Sequence, residues 1–295
     1  MLGIGLFACH KGYIKTEAKE FLTKILVNLG IPAVAIINIL EKFPRDMLSD
    51  MWLLFIIPFG AQVVCIAIAT LLATILKLRP KRRSLFINMC SLSNAIFIGM
   101  PVCFGIFGEE STPYVMVYYI VNTLFFWGYS TPNMKMEAEG GVYPLKQRIQ
   151  KTLSVPLMSC ILAFILLMFD FRLPSIASTV LGFFSNSVTT LSLLLISRII
   201  YENGVKNIRF DLSVVLILFM RFLVSPVIMY LASSFFGLSD FVSQVYTVQM
   251  AMPVMITTAV LAEAYKSDSP YASSALIITT FLSLMIIPFY VFIMN

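Results

Sequence analysis

The sequence predicts an all-α integral membrane protein: ten transmembrane segments, the first shortened, forming two inverted five-helix repeats whose fourth and ninth helices are broken. Three observations carry this expectation: the composition, the recurrence of apolar runs of one length, and a single offset that lays the second half of the chain on the first. Hydrophobic residues make up 59% of the 295 and charged residues only 12%, against about 45–50% and about 25% in a soluble domain. Mean hydropathy is +0.90. A bilayer core needs about 20 apolar residues per helical crossing. Apolar runs of that order recur along the whole chain, separated by short polar joints that hold most of the charges.

In chain order the opening run, Met1 to Cys9, is apolar but about half the length of a span, and His10 and Lys11 close it. It lacks the basic start and small-residue cleavage site of a signal peptide, so it reads as a shortened first helix. Nine full spans follow at roughly 21–40, 51–77, 85–107, 113–130, 153–170, 174–200, 212–236, 241–265 and 271–294.

Basic residues sort these segments across the membrane, because Lys and Arg stay on the cytoplasmic side. Lys11, Lys15, Lys19; Lys77, Arg79, Lys81, Arg82, Arg83; Lys135, Lys146, Arg148, Lys151; Arg198, Lys206, Arg209; and Lys266 occupy alternate joints. Only Lys42, Arg45 and Arg172 occupy the opposite ones, a bias of 16 to 3 that puts both termini outside. A net charge of +6 arranged by topology argues against nucleic acid as a partner. The run LRPKRR is suited to anionic lipid headgroups.

Enzyme chemistry has little to work with. His10 is the only histidine, and Cys9, Cys65, Cys90, Cys103 and Cys160 sit in apolar runs without metal-ligand spacing. There is no phosphate-binding glycine loop, H-E-x-x-H or C-x-x-C. Neither a cofactor nor a metal is expected.

A shift of 157 positions lays Pro113 on Pro270, Tyr114 on Tyr271, and Asn122–Thr123 on Thr279–Thr280; give or take one, it lays Asn28 on Asn186. The repeats are then 1–150 and 151–295, with a scaffold and a transport domain each drawn from both. Five crossings per half, an odd number, require the two halves to be inverted. Within segment four the stretch SLSNAIFIGMP gathers Ser91, Ser93, Asn94, Gly99 and Pro101. Segment nine carries Pro253 in QMAMPVMITT, with Gln249 just before it. Proline removes a backbone donor and clashes with the preceding turn, and the serines and asparagine can bond the groups it frees. Paired breaks in corresponding helices point to a substrate site at the midplane, with half-helix N-termini suited to an anion. Taken singly, each proline is also compatible with a simple kink between packed helices.

The stretches SNAIFIGMP, AMPVMITTAVLAEAYKSDSPYASSALIITTFLSLMIIP and LTKILVNLGIPAVAIINIL resemble the auxin efflux carrier family of bacterial permeases and plant auxin exporters. The likeness extends over essentially the whole chain. It implies ten helices in two inverted repeats, crossing breaks in helices four and nine, and elevator-like transport of organic anions such as auxin or malate. It also places the substrate-binding asparagine at Asn94. Ser93 departs from the proline that precedes this asparagine in plant exporters, and the joint from Thr131 to Lys151 is short, so loop phosphorylation is not expected.

Two roles fit Arg221, which lies well inside segment eight: attraction of an anion, or bonding to backbone carbonyls or Glu263. The offset groups this segment with the scaffold rather than the crossover. Asn38, Asn122, Gln249, Thr257 and Thr258 either line a cavity or bond neighbouring helices, the commoner role. No Asp or Glu lies mid-span, and Glu109, Glu110 and Glu263 sit at helix ends. Facilitated transport, drive by membrane potential, and a cation held by carbonyls and amides therefore all remain open.

The functional expectation is a secondary carrier of small organic anions in the plasma or inner membrane. Its candidate site is Ser93, Asn94, Gly99, Pro101, Gln249, Pro253, Asn122 and Arg221. An anion channel and a non-transporting sensor are the alternatives. The partners expected are the anion and membrane lipid, with a homodimer as an assembly option.

Overall fold

The computed structural model describes residues 2–41, 43, 52–140, 155–203 and 210–294. Lys42, Arg45, Lys146, Arg148, Lys151, Lys206 and Arg209, and the repeat boundary at 150, lie outside the described residues. The described chain is all-helical. Twelve helices follow in order: α1 (Leu2–His10), α2 (Ala18–Glu41), α3 (Trp52–Ile75), α4 (Arg83–Ser91), α5 (Ala95–Phe107), α6 (112–139), α7 (Val155–Met168), α8 (Ser175–Asn203), α9 (Leu212–Phe235), α10 (Asp240–Met250), α11 (Ile256–Ala264) and α12 (Ser269–Met294).

Among the described residues five helices are long and apolar enough to cross a membrane: α2, α3, α8, α9 and α12. The nine expected full spans differ from this for physical reasons. Segments four and nine are each divided in two, as α4–α5 and α10–α11, and no half reaches membrane length alone. The joint expected from Thr131 instead begins as helix: α6 runs on through Thr131–Glu139 and ends at Gly140, whose φ of 69° is the left-handed conformation of a helix C-cap.

Proline does not stop α6 because the helix widens just before it. π-type turns occupy Leu26–Gly30, Ala95–Gly99, Phe126–Ser130 and Met220–Val224, and each ends two residues before a proline: Pro32, Pro101, Pro132 and Pro226. A proline cannot donate to the carbonyl four residues back and its ring collides with it. Moving the local bonding from i−4 to i−5 opens the turn at that point. Pro58 in α3 and Pro288 in α12 stand inside helices without such a turn.

The chain divides into two compact units, each drawing on both halves of the sequence: residues 1–43, 127–209 and 256–274, and residues 44–126, 210–255 and 275–295. In the first unit α1 packs on α8, and α2 packs on α7 and α8. The approach is close: a Cβ on Gly5 would collide with Ser197, and one on Gly30 would come within 2.6 Å of Val188 Cγ2. In the second unit α9 packs on α3 and α10, and α3 packs on α4. Cys103, Val115, Val245, Val248, Met252 and Ile287 form a buried apolar cluster there. Polar residues are buried while Leu71, Phe183, Leu231, Phe281 and Leu284 face outward. A water-soluble fold would reverse that arrangement, and a bilayer as solvent explains it.

Candidate functional site

The two helix breaks lie in the second unit and are paired with each other. Helix α4 stops at Ser91, and Leu92 takes up extended backbone (φ −104°, ψ 137°). Helix α10 stops at Met250, and the chain is non-helical until Ile256. Ser93 forms an isolated antiparallel bridge with Val254, and the Asn94 N–H donates to Pro253 O at 2.9 Å. Such non-helical backbone in an apolar surround requires a partner for every polar group.

Asn122 on α6 satisfies most of the first break. Its Nδ2 donates to Ser93 O at 2.9 Å, and its Oδ1 accepts from Ser93 N–H at 3.2 Å and from Gln62 Nε2 at 3.1 Å. Tyr118, one helical turn earlier, shares a 2.7 Å hydrogen bond between its hydroxyl and Ser93 Oγ. At the second break Thr279 Oγ1 accepts from Val254 N–H at 3.3 Å. Asn122 and Thr279, which the 157-residue offset superposes, thus each support one of the two bridged residues.

Arg221 serves the opposite groups. Its Nε donates to Met252 O (3.1 Å), its Nη2 to Met250 O (2.7 Å) and Met252 O (3.0 Å), and its Nη1 to Cys90 O (3.4 Å). The side chain is fully buried. Helix α9, which the offset groups with the scaffold, therefore supplies the guanidinium that holds both breaks. Glu263, the other bonding candidate for Arg221, instead lies in the first unit. There it pairs with Lys19 at 2.9 Å and accepts from Ser269 at 2.6 Å, while Lys19 also reaches Glu202 at 3.0 Å.

Besides Gln62, whose Oε1 has no hydrogen-bond partner, two amides at the breaks remain partly unsatisfied. Asn94 is 2% exposed, and its Nδ2 has no hydrogen-bond partner. Gln249 is fully buried, with Nε2 3.4 Å from Cys103 Sγ and Oε1 unpartnered. Gly99 lies against that amide so closely that a Cβ there would collide with Gln249 Oε1. The first helical hydrogen bond of α5 runs from Gly99 N–H to Asn94 O at 2.9 Å. The N–H groups of Ile96 to Ile98 precede it, at the positive end of the helix dipole and on half-buried residues.

The structure thus gathers Ser93, Asn94, Asn122, Pro253 and Arg221 around the crossing, with Gly99 and Gln249 beside it. Pro101, two residues beyond Gly99 in α5, is exposed. Sequence reading missed Tyr118, Gln62 and Thr279 as supports. Tyr118 was findable from its i, i+4 relation to Asn122, and Gln62 from its isolation in an apolar helix.

Outward-facing apolar helices around a buried crossover of broken helices are the construction of a membrane transport protein. This chain belongs to the membrane transport protein family, that of the auxin efflux carriers, whose family model matches residues 1–291; it is a transporter family, not an enzyme family. The chain is similar to an uncharacterized transporter of Methanocaldococcus jannaschii, 26% identical over 297 residues, covering 96% of this chain and 92% of the relative. It is also similar to an uncharacterized transporter of Methanothermobacter thermautotrophicus, 26% identical over 285 residues, covering 94% and 89%.

Proposed function

We propose that the protein is a secondary carrier of small organic anions, malate-like carboxylates or auxin-like weak acids, in the cell membrane. The observation that carries this reading is the unpartnered Asn94 amide donor, buried beside the start of α5 where the two breaks cross. A carboxylate accepts hydrogen bonds only, and here it would meet the Asn94 Nδ2 and the N–H groups of Ile96 to Ile98. Ser93, Asn122 and Pro253 set the geometry of that donor set, and Gln249 packed on Gly99 backs it.

Movement of a transport domain against a scaffold, in an elevator-like cycle, is part of the same proposal. Two inverted repeats are favoured by the parallel duties of Asn122 and Thr279 at the two breaks. The test is uptake of radiolabelled malate into liposomes holding the purified protein, with and without an imposed membrane potential. Saturable, potential-sensitive uptake is expected. Flux that fails to saturate would indicate a channel, and absence of flux for malate and for an aromatic weak acid would reject the reading.

A further inference from the structure

Arg221 has no carboxylate partner among the described residues, yet it is fully buried and makes four hydrogen bonds. All four go to backbone carbonyls at places where helices stop: Cys90 in the last turn of α4, Met250 at the end of α10, and Met252 within the second break. A helix C-terminus carries about half a negative charge, so two of them together offer about one, the charge a guanidinium supplies. Unwound carbonyls and half-helix C-termini are also the groups that bind a monovalent cation in many carriers.

We infer that Arg221 is the positioning residue of the crossover: its guanidinium stands where a monovalent cation would otherwise bind and joins the ends of α4 and α10. The function proposed above gives this role its purpose, since the join fixes where Asn94 N–H meets Pro253 O and hence where the Asn94 amide is presented. The role is confined to holding the site. The guanidinium is committed to carbonyls, and the donors offered to substrate are those of the first break. Ser225, one turn further along α9, adds a hydroxyl 3.4 Å from the same Cys90 carbonyl.

The experiment measures thermal melting of the purified full chain in detergent, a readout that needs no substrate. Arg221→Ala is expected to melt below the wild type, and guanidinium, far below denaturing concentrations, to raise the variant's melting temperature by about 3 °C relative to choline. The wild type, whose site is filled by its own side chain, should melt alike in guanidinium, sodium, potassium and choline. A folded Arg221→Ala that melts identically in guanidinium and choline would overturn the inference, as would a wild type stabilised by sodium or potassium. If the alanine variant does not fold, Arg221→Lys against Arg221→Gln decides: the charged variant should melt higher, and equal melting overturns the role. In liposomes, guanidinium should restore part of the uptake that Arg221→Ala loses. Failure of every solute to be taken up by the wild type would reject the transport reading while the melting comparison still decides the positioning role.

Discussion

The two helix breaks solve the same problem with opposite chemistry. At the first, the freed backbone is met mostly by neutral side chains, chiefly the Asn122 amide working as donor and acceptor at once, with one bond from Arg221 to Cys90 O. Arg221 bonds only carbonyls, three of its four bonds falling on the second break, where Pro253 has no N–H to offer. The first break therefore keeps donors in reserve, while the second concentrates acceptors and needs a cation to hold them. Under the proposed function, the hydrogen-bond donors free for an anion are those of the first break. Hydrogen-bond polarity, more than net charge, distinguishes the two.

This contrast can be broken experimentally, beginning where the effect is largest. Arg221→Met keeps bulk but leaves buried carbonyls unpaired, and should cost about 3–5 kcal/mol, read as a loss of melting temperature and of folded yield. Asn122→Ala should cost about 2–4 kcal/mol, because Ser93 N–H and O both lose a partner in an apolar surround. If Arg221→Met proved milder than Asn122→Ala, the charged break would not be the more demanding one. Gly99→Ala drives the Gln249 amide from its place and should cost about 1–2 kcal/mol, with a rise in KM for uptake greater than the fall in maximal rate.

A position away from both breaks calibrates these effects. Asp211 caps α9 by accepting from Val214 N–H at 3.1 Å and pairs with Arg82 at 2.9 Å. Burial pushes its carboxyl up, but the Ser213 hydroxyl, the Val214 N–H and Arg82 outweigh burial and hold it below the usual carboxylate range. A depressed value means that the stabilisation is complete above the ordinary carboxylate pKa of about 3.9. It is lost as pH falls through the lower folded value. Asp211→Ala should cost about 1 kcal/mol at neutral pH, and its melting curve should converge on that of the wild type in acid. The smallest stability change is expected from Asn94→Ala, within about 0.5 kcal/mol, because its Nδ2 has no partner to lose. Uptake by that variant should nevertheless fall by at least about tenfold. Normal uptake would remove Asn94 from the proposed site.

The sequence made the breaks visible because their chemistry is local. Ser91, Ser93, Asn94 and Gly99 interrupt an apolar run, and Pro253 interrupts another. The supports were harder to see, since nothing in an apolar helix states which neighbour a glutamine or tyrosine will reach. Arg221 had the right class of acceptor among its alternatives, but the offset placed its helix away from the crossing. The joint expected from Thr131 begins as helix instead, and the widened turn that admits Pro132 has no distinct composition. Pro101 was read as breaking its helix, whereas it stands at the start of regular helix, two residues past the widened turn, and is exposed.

The widened turn in α9 also explains how a helix can keep one buried edge at a spacing its geometry does not favour. Ser213, Ile217, Arg221, Ser225, Met229 and Ser233 are all buried and recur every four residues. At about 100° per residue a regular α-helix drifts about 40° with each such step, so the last would stand about 200° round from the first. One extra residue, accommodated at Met220–Val224, returns about 100° of that drift. The bulge acts as a leap day in the helical calendar, bringing Ser225 and the residues beyond it back into alignment with Arg221.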